Sequence, residues 1–414
     1  VDRIEAATSP QVLRRVNARR VLEHAWRAGA FTATDVMAAT GLTRSTTIGV
    51  CDELVQQGWL EELGDARAVG AYTKGRPARR YALRERAALV AGIDAGYDHV
   101  STTVADLRGN VVGRSAAAIP AAGPGRIERL ADAAERRELA RRTLHEALQD
   151  AGASESELLA LTVAVPAPVD ADGVSPAENP FWSLTNPGYV DEFRGTAAIV
   201  VVENDANLAA IAEASVPLGG GLDVDSFIAL IVGEGMGAGL MIDRRLVRGR
   251  RGGAGELRFL DHVDGVGSAD GLALLARRWA VDAIRDGLPA DSALGGLDPD
   301  ALTEADVARA ADAGDPAAVA IVDRLAARLA RICLVLSDLL DVDRVIVSGA
   351  AATAMPIVVD RTAALLATSD DPAAPELRPS RLGDACVATG AIQHALDLLR
   401  DQALDLSPTA RGAA

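Results

Sequence analysis

Two groups of side chains in this chain have types and spacing that could do chemistry. The first is the run Thr43-Arg44-Ser45-Thr46-Thr47, with Thr34 a short way before it and Lys74-Gly75-Arg76-Pro77 after it. Short hydroxyls and one guanidinium on the first turn of a helix suit the major groove, where that turn meets base edges and phosphates. Lys74 and Arg76, in a polar loop between two strands, would suit a narrow minor groove; solvated hairpin charges are the alternative. The second group is Asn204-Asp205, directly after the apolar run Ile199-Val200-Val201-Val202, followed by Gly233–Gly239 and Glu256. An amide and a carboxylate just past a strand end lie where open α/β sheets bind ligands, although the same pair could simply cap the next helix. The alternating glycines could cradle phosphate through backbone N–H groups or allow a tight hairpin. A strand should follow them, which excludes a dinucleotide fingerprint.

These side chains need elements to hold them. Val12, Val16, Val21, Leu22 and Trp26 can share one helix face, ending near Gly29. Thr34 is placed to cap a short helix over 35–40, Gly41 permits the turn, and Leu42 packs between helices. A second helix over about 44–57 would face inward with Ile48, Cys51, Leu54 and Val55, leaving Arg44, Ser45, Thr46 and Thr47 outside. A hairpin of Trp59–Leu63 and Arg79–Leu83 would carry the basic loop as a wing. Residues 1–87 therefore read as a winged helix–turn–helix that binds DNA; the alternative is a helix–turn–helix used for protein contacts alone. After Leu83 strands alternate with helices, and the pattern repeats in the second half, predicting an α/β domain over 88–400. Residues 401–414 are expected to be a loose tail.

Composition agrees. The net charge is −16, but residues 1–86 carry 14 Lys+Arg against 10 Asp+Glu, leaving 28 against 48 in the remainder. A positive front on an acidic body directs any nucleic-acid contact to the front. Cys51, Cys333 and Cys386 are far apart in apolar contexts and read as reduced core thiols. No charge-free apolar run approaches the roughly 18 residues of a membrane span, so no membrane partner is expected. Val1-Asp2-Arg3-Ile4-Glu5 does not read as a secretory leader, and a cytoplasmic protein is expected.

Taken in order, Gly75-Arg76-Pro77, Asp94-Ala95-Gly96, Glu203-Asn204-Asp205-Ala206-Asn207, Gly233–Gly239, Ala254-Gly255-Glu256 and Gly349 resemble the landmarks of the ROK family (repressors, open reading frames, kinases), in its repressor branch. The resemblance covers about 11–399. It implies an N-terminal winged helix–turn–helix followed by a two-lobed actin/hexokinase-like domain with a sugar cleft. It implies operator DNA and a sugar or sugar derivative as partners, and a homodimer or homotetramer. By the same resemblance Asp205 matches the base that takes a proton from the sugar hydroxyl in the kinases. Asn204, Asp205 and Glu256 would contact the sugar, whose buried hydroxyls demand partners.

The chain also departs from the family pattern. The kinases read Asp-x-Gly-Gly-Thr at the first phosphate loop; here Tyr97 replaces a glycine and Asp98 the threonine, adding bulk and negative charge. Gly349-Ala350 replaces a glycine pair near the expected adenosine site. Phe259 stands where the family has a zinc-binding histidine, and no cysteine cluster follows; His262 alone makes a poor site. No cofactor and no metal are expected. The expected function is a sugar-responsive transcriptional regulator without kinase activity. The alternatives are an active sugar kinase with an added DNA-binding domain, or a constitutive regulator with a vestigial cleft.

Overall fold

A computed structural model describes residues 9–64, 78–119, 132–289 and 291–408. The N-terminal unit consists of helix α1 (Pro10–Arg27), strand β1 (Phe31–Thr32), helices α2 (Ala33–Thr40) and α3 (Arg44–Gln56), and strands β2 (Leu60–Leu63) and β3 (Arg80–Leu83). The strands form an antiparallel sheet in the order β1-β3-β2. Val21, Leu22, Ala25 and Trp26 of α1 are buried, but Val12 and Val16 are exposed, so only the C-terminal half of the expected apolar face packs. Helix α2 is capped by Thr32, not Thr34. The Thr32 hydroxyl accepts from the Asp35 N–H, and the Asp35 carboxylate accepts from the Thr32 N–H, a reciprocal box that needs a side-chain acceptor three residues on. Thr34 itself lies exposed in the first turn.

Two five-stranded sheets follow, and their plans are the same. The first takes β4 (Leu89–Asp94), β5 (His99–Ala105), β6 (Val111–Ala118), β7 (Leu158–Val165) and β8 (Ile199–Asn204) in the order β6-β5-β4-β7-β8. The second takes β9 (Phe227–Val232), β10 (Met236–Ile242), β11 (Arg245–Val247), β12 (Arg344–Ser348) and β13 (Glu376–Pro379) in the order β11-β10-β9-β12-β13. In each, the first three strands pair antiparallel as a meander and the last two join in parallel. The central strands β4, β7, β9 and β12 are almost wholly buried, as apolar runs covered on both faces must be. Strand β13 was not visible in the sequence: Glu376-Leu377-Arg378-Pro379 buries only Leu377.

The sheets carry helices α4 (Ala133–Asp150), α5 (Pro180–Thr185), α6 (Tyr189–Glu192), α7 (Asp205–Ser215), α8 (Leu272–Asp286), α9 (Glu304–Asp312), α10 (Pro316–Leu340), α11 (Ala350–Ala354), α12 (Pro356–Ala367) and α13 (Cys386–Gln402). Helix α7 packs between β10 and α13. A Cβ on Gly390 would lie 1.9 Å from the Leu208 carbonyl oxygen, so α13 reaches α7 only because that position has no side chain.

The expected loose tail is corrected in part. Helix α13 runs through Asp401 to Gln402, a 3-10 turn follows over Ala403–Asp405, and Ala403 is fully buried. One apolar cluster runs from Leu22, Trp26 and Trp59 of the N-terminal unit through Leu107 to Leu396, Leu399 and Ala403. The unit therefore shares a core with the first lobe. All three cysteines are free and buried, and among the described residues no helix is long and apolar enough to cross a membrane.

Candidate functional site

On the N-terminal unit, Thr43 caps α3. Its hydroxyl lies 2.9 Å from that of Thr46 and 3.3 Å from that of Ser45, and it accepts from the Thr46 N–H. Arg44 and Ser45 are exposed beside it, and Thr46 is half-buried. Thr47 does not belong with them. It is fully buried, its hydroxyl has no hydrogen-bond partner, and with Val50, Cys51 and Leu54 it forms the inward face of α3. The helix is rotated by about one residue from the expected register, and Ile48 is only half-buried. Lys74 and Arg76 lie outside the described residues.

The second candidate site lies where the ends of β4 and β8, carrying Asp94 and Asn204, meet strand β10 and the loop at 253–256. Asn204 caps α7: its amide oxygen accepts from the Asn207 N–H and its amide nitrogen donates to the Ala167 carbonyl. Both ends of that side chain hold the helix start in place. Asp205, the first residue of α7, accepts only the Ala206 N–H at 2.7 Å among the hydrogen bonds found for its side chain. Burial, then the nearby charges of Asp94 and Glu256, push its pKa up to about 7. Burial also raises Glu256. Asp205 is thus a carboxyl group that can accept or donate a proton near neutral pH.

Sequence reasoning missed the brace beneath Asp205. Glu203, nearly inaccessible, accepts from the Asn204 N–H and the Asn207 amide, and pairs with Arg248 at 2.6 Å. That pair ties the end of β8 to the chain just past β11. Its only sequence signal was a carboxylate ending an apolar strand.

Two of the alternating glycines, Gly237 and Gly239, serve packing. A Cβ at Gly239 would stand 2.0 Å from the Ala206 carbonyl oxygen, and one at Gly237 would stand 3.4 Å from Ala206 Cβ and 4.0 Å from Asp205 Oδ1. They let β10 lie against the first turn of α7 and so place Asp205. The N–H groups of Gly233, Met236 and Ala238 already donate to Gly235, Ala269 and Gly255. Phe259, at the replaced family position, and His262 are both exposed on the 3-10 turn Arg258–His262.

The ROK family sequence pattern matches residues 90–397. The chain belongs to the ROK family. It is 27% identical over 219 residues to a putative xylose repressor from Caldicellulosiruptor sp. (strain Rt8B.4), an alignment covering 52% of this chain and 51% of the relative. The chain spans about half the length of the curated relatives it matches. A solved ROK family transcriptional regulator, a homologue of the E. coli MLC protein, superposes with TM-score 0.72 at 20% identity, covering 96% of this chain and 99% of that one. A ROK family glucokinase from Streptomyces griseus, solved with glucose and AMPPNP, superposes with TM-score 0.60 at 25% identity, covering 75% of this chain and 99% of that one. The resemblance read from the motifs is thereby confirmed, and the α/β fold with mixed sheets is that of the ROK kinases and regulators.

Proposed function

We propose that this ROK protein is a sugar-responsive transcriptional regulator that binds operator DNA through residues 1–87 and a sugar or sugar derivative in the cleft of residues 88–400, without phosphorylating it. The observation that carries the reading is the physical join between the two. Arg108, in the β5–β6 turn, donates to the Trp26 and Ala28 carbonyls at the end of α1, and Leu107 accepts from the Trp26 indole. Arg15 and Arg19 of α1 pair with Asp405 and Asp401. Asp401 lies at the end of α13 and Asp405 in the 3-10 turn that follows it; the start of α13 packs on α7, the helix that begins at Asp205. A ligand touching Asp205 and Glu256 thus acts on elements that reach the N-terminal unit. Asn204 serves that contact by setting the helix start. A free kinase has no use for such a clasp.

DNA contact falls to Thr43, Arg44, Ser45 and Thr46 at the start of α3, to Thr34 at the start of α2, and to Lys74 and Arg76 between β2 and β3 in the sequence. The mechanism is linkage: the ligand prefers one arrangement of the lobes, which alters the placement of two such units in a homodimer or homotetramer. One observation favours a second reading as an active sugar kinase, namely an Asp205 whose pKa near 7 suits a general base. The test is gel retardation of the DNA upstream of the chain's own gene, at low salt, with and without a panel of sugars. A sugar-sensitive shift is expected. No DNA binding in the absence of sugar overturns the regulator, and ATP-dependent phosphorylation of any sugar in the panel replaces it with the kinase.

A further inference from the structure

The loop from Asp94 to His99 joins β4 to β5 beside Asp205, and several contacts hold it. A phosphate-binding loop needs open space over its glycine and cations free to meet the oxygens. Here the space over Gly96 is filled. A Cβ on Gly96 would lie 2.5 Å from His99 Cε1 and 3.0–3.1 Å from both ring nitrogens, so the imidazole lies on the glycine. Both nitrogens are spent on carboxylates: Nε2 is 3.3 Å from Asp94 Oδ2, and Nδ1 is 2.9 Å from Asp98 Oδ1. Only a doubly protonated ring can donate to both. Behind the loop the buried Arg136 donates to the Ala95 and Gly96 carbonyls. Beside it Tyr97 stacks on Phe181, with ring centres 6.2 Å apart. In the second lobe Arg277 is spent on Glu234 and Glu304.

We propose that His99 is the residue that closes this cleft to nucleotides, by covering Gly96 and supplying from within the chain the cation that bridges Asp94 and Asp98. His99, Arg277 and their four carboxylate partners sum to an excess of two negative charges. A polyphosphate arriving there meets an occupied glycine and no unpaired cation among them. The cleft is in this way built for one ligand, and a site that reads in sequence as decay is a plug with its own hydrogen bonds. The inference stands apart from the DNA-binding reading, since it concerns only what the cleft admits.

The experiment uses the full-length chain with MgADP as probe, by calorimetry, together with amide hydrogen exchange. The wild type is expected to give no binding heat. His99→Ala/Asp98→Thr, which clears the glycine and removes the exposed carboxylate, is expected to bind MgADP at least about tenfold more tightly. Asp98→Asn, which keeps the ring over Gly96, should stay silent. In single His99→Ala, whose replaced side chain is 46% exposed, Gly96 and Tyr97 amides should exchange faster while the rest of β4 is unchanged; this holds the proposal to account even where the double variant folds poorly. MgADP binding by the wild type as tight as by the double variant overturns the proposal. So does a folded double variant that stays silent, or exchange at Gly96 and Tyr97 that ignores His99→Ala.

Discussion

Replacing Arg108 by alanine should loosen the N-terminal unit from the first lobe. The guanidinium donates to the Trp26 carbonyl at 2.8 Å and the Ala28 carbonyl at 2.6 Å, and pairs with Glu85 at 2.9 Å. Hydrogen bonds from a charged donor are each worth about 1.5–3 kcal/mol, so the two that cross between units set a ceiling of about 3–6 kcal/mol. The side chain is 19% exposed, and carbonyls at a helix end regain water in part. A loss of about 2–4 kcal/mol from the docking of α1 is the resulting figure. Coupling between two sites is typically worth about 1–3 kcal/mol. The clasp is therefore as large as the signal it would carry. Arg108→Ala should lower the melting temperature and abolish the effect of sugar on DNA affinity, while the affinity of the sugar-free chain for DNA survives. Arg108→Lys, which keeps the charge but loses the fork, should fall between. Thermal unfolding and fluorescence anisotropy on labelled duplex measure the two. Unchanged melting and an intact sugar response in Arg108→Ala would refute the reasoning.

The other predictions concern the Asp205 site and helix α3. Asp205 has a folded-state pKa raised to about 7 from 3.8, so its charged form destabilises the fold, and the penalty grows as pH rises from about 4 through 7. Asp205→Asn should therefore gain more melting temperature over the wild type at pH 8 than at pH 5, and should lose the sugar response; an equal difference at both pH values would contradict the burial assigned to this carboxyl. Gly239→Ala, whose Cβ would meet the Ala206 carbonyl at 2.0 Å, should destabilise by about 1–3 kcal/mol or more in urea unfolding, and Gly237→Ala by much less. Thr47→Val, isosteric with a buried hydroxyl that lacks a partner, should leave stability equal or up to about 1 kcal/mol higher and DNA binding unaltered. Arg44→Ala should weaken DNA binding and flatten its salt dependence by about one phosphate contact.

What the sequence made legible were features carried by neighbours along the chain. Helix α10 has Pro316 at its start, Asp315 capping it and an apolar stripe along it, signals that all lie within or next to its own span. Asp205 was placed by an apolar strand followed by Glu-Asn-Asp. Errors of one or two residues arose where two similar residues competed. Thr32 and Thr34 are both good caps, and the reciprocal bond from Asp35 decides for Thr32. Thr47 and Ile48 are adjacent on α3, and the turn of the helix puts the smaller, polar one inside. Val12 and Val16 have the right spacing but extend past the core, so periodicity alone overstates their burial. The contacts that join the units are invisible to pattern: Arg108 meets Trp26 and Ala28 some eighty residues away, and Arg15 meets Asp405 across nearly the whole chain. The His99 ring over Gly96 is close in sequence, yet it depends on the turn geometry of the β4–β5 loop, which residue types do not disclose.

Linkage supplies the most direct test of the central claim that the cleft governs DNA binding. For the sugar that shifts the gel, its affinity for the full-length chain should be measured with and without saturating operator duplex, and operator affinity with and without saturating sugar, in the absence of nucleotide. The account predicts that the two affinities change by the same factor, and that Asp205→Ala removes both changes. Sugar binding that is identical with and without DNA would contradict it.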